Sequence, residues 1–388
     1  GLASALGSVF PRTPLKPTKD VPMNLADRRY KIDSSGIRRV FDLAANLKNP
    51  CNLSIGLPDY DVPNPVKEAA VEAIQSGQNR YTLTAGLPAL RTLICERYAQ
   101  RGTPVEDSII TSGTSGGLFL TLMALLNPGD EVMFADPYFV MYKHLSAFIG
   151  AVPKPFNTYP DFRITRAALE KAYSPRTKLL ILNSPNNPTG VVYSEEELKT
   201  AADFAEEKGL YVLTDEIYED FVFDGDYLSP AKFTNPDHTI IISGLSKNVA
   251  MTGWRLGWVG APKDLIHALS DIQQYSFVCA PSHAQVAAFK GLDFDMTETR
   301  ALFRKRRDLI ANGLEELGFE VRKPGGAFYI FPKAPTGHGA DFVKECIEHE
   351  LLVVPGNVFS DQDTHFRISF AASTGQLERG LGILKQIV

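Results

Sequence analysis

The feature that most restricts this chain is a repeated pairing of short, unbroken apolar runs with longer stretches of helical periodicity. Leu179-Leu180-Ile181-Leu182 and Ile240-Ile241-Ile242 are apolar at consecutive positions. Side chains alternate between the two faces of a strand, so such runs require a sheet covered on both sides. Amphipathic stretches such as Glu195 to Lys208 separate the runs and can supply that cover. With these two, the strand-like runs fall at 109–111, 131–135, 178–183, 210–214, 239–243 and 256–260. The expected fold is α/β, a large domain with a mostly parallel seven-stranded sheet covered by helices.

After Pro281 the pattern changes to long helices at 297–317 and 339–350, with short strands at 327–331 and 366–370. This reads as a smaller α+β domain. The expected division is an N-terminal arm over 1–30, rich in Pro and scattered basic residues, and an N-terminal part of the small domain over 31–60. A large domain over 61–285 and a small C-terminal domain over 286–388 follow. With 388 residues, 44% of them hydrophobic, the chain can form two connected cores.

A formal charge of −5 gives no general attraction to nucleic acid or anionic lipid, so any anion binding must be local. Cys51, Cys95, Cys279 and Cys346 show neither the CxxC pairs of zinc sites nor a dense disulfide framework, which fits a reducing cytoplasm. No apolar run approaches the roughly 18 residues a membrane span needs, and residues 1–24 lack the apolar core of a signal peptide. The expectation is a cytoplasmic protein with neither nucleic-acid nor membrane partners.

Chemistry concentrates where apolar runs end. In Ser243-Gly244-Leu245-Ser246-Lys247, an amine follows small polar residues that leave room for a carbonyl compound, and Arg255 stands eight positions on, suited to a phosphate. Thr111-Ser112-Gly113-Thr114-Ser115-Gly116-Gly117 joins a strand to a helix expected over 118–126. Its glycines and the positive end of that helix favour an anion beside Thr114 and Ser115. Thr214-Asp215-Glu216-Ile217-Tyr218 offers a carboxylate to keep a ring nitrogen protonated, with a phenol three residues later. Glu216 and Glu219 read as structural or solvated.

Asn183-Ser184-Pro185-Asn186-Asn187-Pro188-Thr189-Gly190 is a stiff loop that presents amides, and Asp136-Pro137-Tyr138-Phe139 offers an aromatic face. In Phe366-Arg367-Ile368, an arginine within an apolar strand must face either an internal acid or a substrate carboxylate, and the carboxylate is favoured. His365 has no companion at metal-ligand spacing and reads as a surface histidine. Together these segments supply the groups that pyridoxal 5'-phosphate requires.

Taken in order, they resemble the class I/II aminotransferases of the fold-type I pyridoxal-phosphate enzymes, from about residue 35 to the C-terminus. The resemblance implies that Lys247 joins the cofactor's aldehyde and then moves protons, and that Asp215 binds the ring nitrogen. Tyr218 and Asn187 would bind the 3-hydroxyl, while Thr114, Ser115, Ser246 and Arg255 hold the phosphate and Phe139 stacks on the ring. Gly56, in Ser54-Ile55-Gly56-Leu57-Pro58, would border the substrate, and Arg367 would bind its alpha-carboxylate. Tyr81 would reach the phosphate of a neighbouring subunit, implying a homodimer with shared sites. The chain departs from many relatives at Gly244, where they carry Ser, and at Ser115, where some aspartate-directed ones carry Lys.

The implied activity moves an amino group from an L-amino acid, aromatic or apolar with aspartate kept open, to a 2-oxo acid such as 2-oxoglutarate. Two alternatives stay open: a carbon–sulfur beta-lyase using the same cofactor, since its electron sink serves both reactions, and a non-catalytic regulatory module of the same fold.

Overall fold

The computed structural model describes residues 25–32, 36, 40 and 47–388. Most of the expected arm, residues 1–24, lies outside the described residues. A short strand β1 (Cys51–Asn52) precedes seven longer ones: β2 (Asp107–Ser112), β3 (Glu131–Asp136), β4 (Val152–Asn157), β5 (Thr177–Asn183), β6 (Tyr211–Asp215), β7 (Thr239–Gly244) and β8 (Leu256–Ala261). These seven form one sheet in the order β2-β8-β7-β6-β5-β3-β4. Strands β4, β3, β5, β6 and β7 run parallel, and β8 is antiparallel to both β7 and β2.

The unbroken apolar runs occupy the positions that both-faced burial demands. Leu179, Ile181, Ile240 and Ile242 belong to one core cluster, whereas Leu180 and Leu182 belong to a second and Ile241 to a third. Neighbours in sequence therefore enter different cores. The helix Glu195–Lys208 starts on a reciprocal cap. Ser194 Oγ accepts from the Glu197 amide, Glu197 Oε2 accepts from the Ser194 amide at 2.9 Å, and Gly209 closes the helix in the left-handed region.

Strand β4 was not among the expected runs because Pro153 and Pro155 interrupt its apolar pattern. The Val152 amide donates to Asp130 O on the β3 side, so the two prolines fall at alternate positions that face away from the sheet. The glycine-rich turn also differs from expectation. Its helix spans Gly113–Leu125 and thus begins directly at the strand end. At Gly113 φ is +68°, a backbone conformation that side chains rarely adopt, and a Cβ there would push on Arg255 Nη2 at 2.4 Å, so this early start favours glycine.

A second unit gathers beyond the sheet. Strand β1 pairs in parallel with β10 (Leu351–Leu352), and β9 (Tyr329–Ile330), β12 (Phe366–Ser369) and β11 (Val354–Pro355) form a three-stranded antiparallel sheet. The helices Thr297–Glu316, Gly339–Glu348 and Thr374–Ile387 lie in this part of the chain. Cys51 and Leu53 share its core with Phe328, Phe366 and Leu384. Asp59 receives two 2.7 Å bonds from Arg306, and Tyr60 donates to the Lys247 carbonyl at 3.0 Å, so the segment after β1 is fastened to both units.

Candidate active site

Ligands of doubly wound sheets collect where parallel strands end, and here those ends deliver the chemistry. Strand β3 leads to Phe139, β5 to Asn187, β6 ends on Asp215, and β7 leads to Ser246 and Lys247. Because β8 is antiparallel, its start brings Arg255 to the same edge. A cavity of about 620 Å³ opens there, lined by Gly56, Thr114, Ser115, Phe139, Asn187, Asp215, Tyr218, Ser246, Lys247, Arg255 and Arg367. Every expected site residue except Tyr81 lines it. Tyr81 is 82% exposed and outside the cavity.

Lys247 Nζ donates to the Gly56 carbonyl at 2.8 Å. Burial lowers its pKa to about 8, and the nearby Arg367 and Arg255 add to the effect while Asp215 opposes it. An amine attacks carbonyl groups only when uncharged, so this environment raises the reactive fraction near neutrality. In competitive acylation of the cofactor-free chain, Lys247 labelling is expected to reach half its maximum near pH 8. A midpoint near 10, that of an ordinary lysine, would count against the environment described.

Asp215 is buried, which pushes its carboxyl above the usual range. The main counterweight is the Tyr142 hydroxyl, which donates to Oδ2 at 2.6 Å. Asn183 Nδ2 fixes the Asp215 carbonyl at 3.0 Å, and Asn183 Oδ1 accepts from the Asn187 amide. At the other end, Arg367 is 1% exposed. Its guanidinium donates to Asn187 Oδ1 at 2.9 Å and to the Ser54 carbonyl at 3.0 Å, and it packs against the rings of Tyr329 and Phe359. None of these partners is an anion, and Arg367 Nε has no partner. A buried cation so placed favours an incoming carboxylate.

The end of the cavity at Thr114 and Arg255 rests on close backbone approach. A Cβ at Gly257 would lie 2.6 Å from the Thr114 nitrogen, and Arg255 flanks the first turn of the Gly113–Leu125 helix with Nη1 bonded to the Thr252 carbonyl at 3.0 Å. That turn's amides and the guanidinium form an anion cradle. Gly244 also has a steric explanation, since a Cβ there would meet the Leu256 carbonyl at 2.8 Å. A serine at this position would have to displace backbone.

Sequence reasoning missed Tyr142, Asn183, Thr252, Tyr329 and the aliphatic wall of Ile55, Leu57, Val140, Met141 and Ile217. Tyr142 carried a usable signal, one helical turn beyond Phe139. His365 corrects its expectation. It is buried, stacked on Phe331 at 5.2 Å, and burial lowers its pKa to about 4. Glu216 is buried and Glu219 half-buried on Arg101, the structural reading of the two, and desolvation raises both carboxyls.

An anion cradle at one end, a carboxylate deep along one wall and an aliphatic cleft between suit a flat, phosphate-bearing ring compound. The residues present therefore fit pyridoxal 5'-phosphate, and the class they define is the fold-type I transferases that use it. Comparison with known proteins narrows the class. Residues 48–384 match the family "Aminotransferase class I and II". An aspartate aminotransferase of Pyrococcus abyssi is 36% identical over 383 residues, 94% of this chain and 98% of that protein. Aromatic-amino-acid aminotransferase 2 of Thermococcus litoralis is 35% identical over 383 residues, with the same coverage. The solved aspartate aminotransferase of Thermus thermophilus with maleate superposes with a TM-score of 0.90 at 34% identity, covering 94% of this chain and 100% of that one. The chain belongs to the class I and II aminotransferases and is a pyridoxal-phosphate-dependent transaminase.

Proposed function

We propose that this aminotransferase acts on bulky apolar and aromatic L-amino acids, with aspartate as a tolerated donor and 2-oxoglutarate as acceptor. One observation carries the donor assignment. Among the described residues the cations lining the cavity are Lys247, Arg255 and Arg367, and the first two belong to the cofactor end. Arg367 remains for the alpha-carboxylate, and the wall beside it is aliphatic. Among the described residues a second carboxylate on the donor finds no further cation in the cavity, where Ser115 stands in place of the Lys of some aspartate-directed relatives. The distal carboxylate of 2-oxoglutarate would be met at the cavity mouth, which in a homodimer belongs partly to the second copy.

Bound pyridoxal phosphate supplies an aldehyde that captures amino groups and a ring that withdraws electrons from the alpha carbon. In this reading Lys247 would hold the cofactor, then take the proton of the substrate's alpha carbon on Nζ and deliver it to the cofactor's former aldehyde carbon. Asp215 keeps the ring nitrogen protonated, Phe139 covers the ring, and Tyr218 and Asn187 bind the 3-hydroxyl. Thr114, Ser115, Ser246 and Arg255 hold the phosphate. Gly56 borders the substrate and Arg367 docks its carboxylate.

The same reading includes a homodimer with shared sites. Exposed Tyr81, Leu83, Tyr275 and Phe277 support it. They come from adjoining segments, since Gln273 Nε2 bonds the Thr84 carbonyl at 2.7 Å. The pairing of β1 with β10 supports grouping 47–60, the continuously described part of the expected 31–60 segment, with 286–388 as the small domain, leaving 61–285 as the large one; residues 33–35, 37–39 and 41–46 lie outside the described residues. Four unpaired cysteines support a cytoplasmic setting, and no helix among the described residues is long and apolar enough to cross a membrane. Donor profiling with 2-oxoglutarate tests the proposal. Phenylalanine, tyrosine and leucine are expected to exceed aspartate in kcat/KM, and a preference confined to aspartate and glutamate would refute it.

A further inference from the structure

We propose that Tyr329 is a positioning residue that relays the charge of Arg367 to Tyr218 through its hydroxyl. This rests on the reading above that Tyr218 meets the cofactor's 3-oxygen. The geometry is compact. The Tyr329 and Tyr218 hydroxyls are 2.9 Å apart, and both residues are buried, at 1% and 3% exposure. The Arg367 guanidinium carbon sits 4.3 Å from the centroid of the Tyr329 ring. A Cβ at Gly56 would fall 2.3 Å from the Tyr329 oxygen, so the hydroxyl has its place only because position 56 carries no side chain.

A phenol has one proton. When Tyr218 donates its proton to the cofactor's 3-oxygen, the 2.9 Å contact can persist as a hydrogen bond only with Tyr329 as donor. Two donors in a row polarise each other, so the bond from Tyr329 strengthens the one from Tyr218. The cation over the Tyr329 ring draws charge from it and makes its O–H a better donor. A carboxylate that docks on Arg367 neutralises this pull. Occupation of the substrate's carboxylate site is thereby felt at the 3-oxygen, two phenols away. A parallel route exists through the 2.9 Å bond from Arg367 to Asn187, and Tyr329→Phe separates the two because it leaves that bond and the ring in place.

The test uses reconstituted wild-type and Tyr329→Phe holoenzymes, with absorbance followed against pH to titrate the cofactor–Lys247 linkage. Weaker donation to the 3-oxygen makes the linkage easier to protonate, so the midpoint in Tyr329→Phe is expected to rise by roughly 0.5–1 unit. Saturating 3-phenylpropanoate, which carries only the carboxylate and an apolar tail, is expected to raise the wild-type midpoint and to raise that of the variant by less. An unchanged midpoint, or an equal ligand-induced rise in both proteins, overturns the relay. If Tyr329→Phe does not fold, a fluorotyrosine at position 329, a stronger donor of nearly the same shape, must lower the midpoint, and no movement overturns the proposal. A wild-type chain with no titrating cofactor band sinks the assignments of Lys247 and Tyr218 and the relay with them, a result distinct from a band that titrates identically in both proteins.

Discussion

Lys247→Ala is expected to lower kcat by at least about 10⁴-fold, the upper end of what a positioned proton-transfer group contributes. Among the described residues that line the cavity Nζ is the one amine, it is held on the Gly56 carbonyl, and its lowered pKa leaves an uncharged fraction near neutrality. Alanine removes both the attachment point and the base, so the two roles fail together. Turnover measured with a coupled assay should vanish, while cofactor retained through the phosphate cradle should absorb as the free aldehyde. A variant with wild-type kcat would refute both roles at once.

Asp215→Asn is expected to reduce kcat by roughly 10²–10³-fold, the range seen when one preorganised electrostatic partner is removed from a reacting centre. Asparagine keeps the shape and can still accept from Tyr142, so the 2.6 Å contact survives in altered form and the change isolates charge. Without a carboxylate the ring nitrogen loses its proton near neutrality, and the electron sink weakens. The expected signature is a fall in kcat with little change in KM for the amino donor, because Arg367 is untouched. A variant in which KM alone changed would place Asp215 outside the chemistry.

Much of this site was legible because its main groups sit next to apolar strands. Asp215 closes β6, and Asn187 and Lys247 follow β5 and β7 by only a few residues, so locating the strands located the chemistry. Arg367 was legible as a cation in an otherwise apolar run, and the structure adds that its partners are neutral groups and ring faces. Residues that reach the cavity by tertiary folding carried no comparable mark. Ile55 and Leu57 flank Gly56, and Met141 lies two residues after Phe139, yet nothing local distinguishes a cavity wall from a core. Tyr329 was placed in an expected strand, but its partnership with Tyr218 spans a sequence separation of 111 residues. His365 went astray for the same reason, since the rings that bury it, Phe331, Tyr159 and Phe162, are distant in sequence.

The prolines that hid β4 from a pattern reading bear on how copies of this chain can meet. Pro153 and Pro155 remove two outward-facing amide donors from that border of the large sheet. Another copy cannot zip onto it strand against strand in a continuous ladder. Open-ended growth of the sheet across this border is thereby blocked at the level of the backbone.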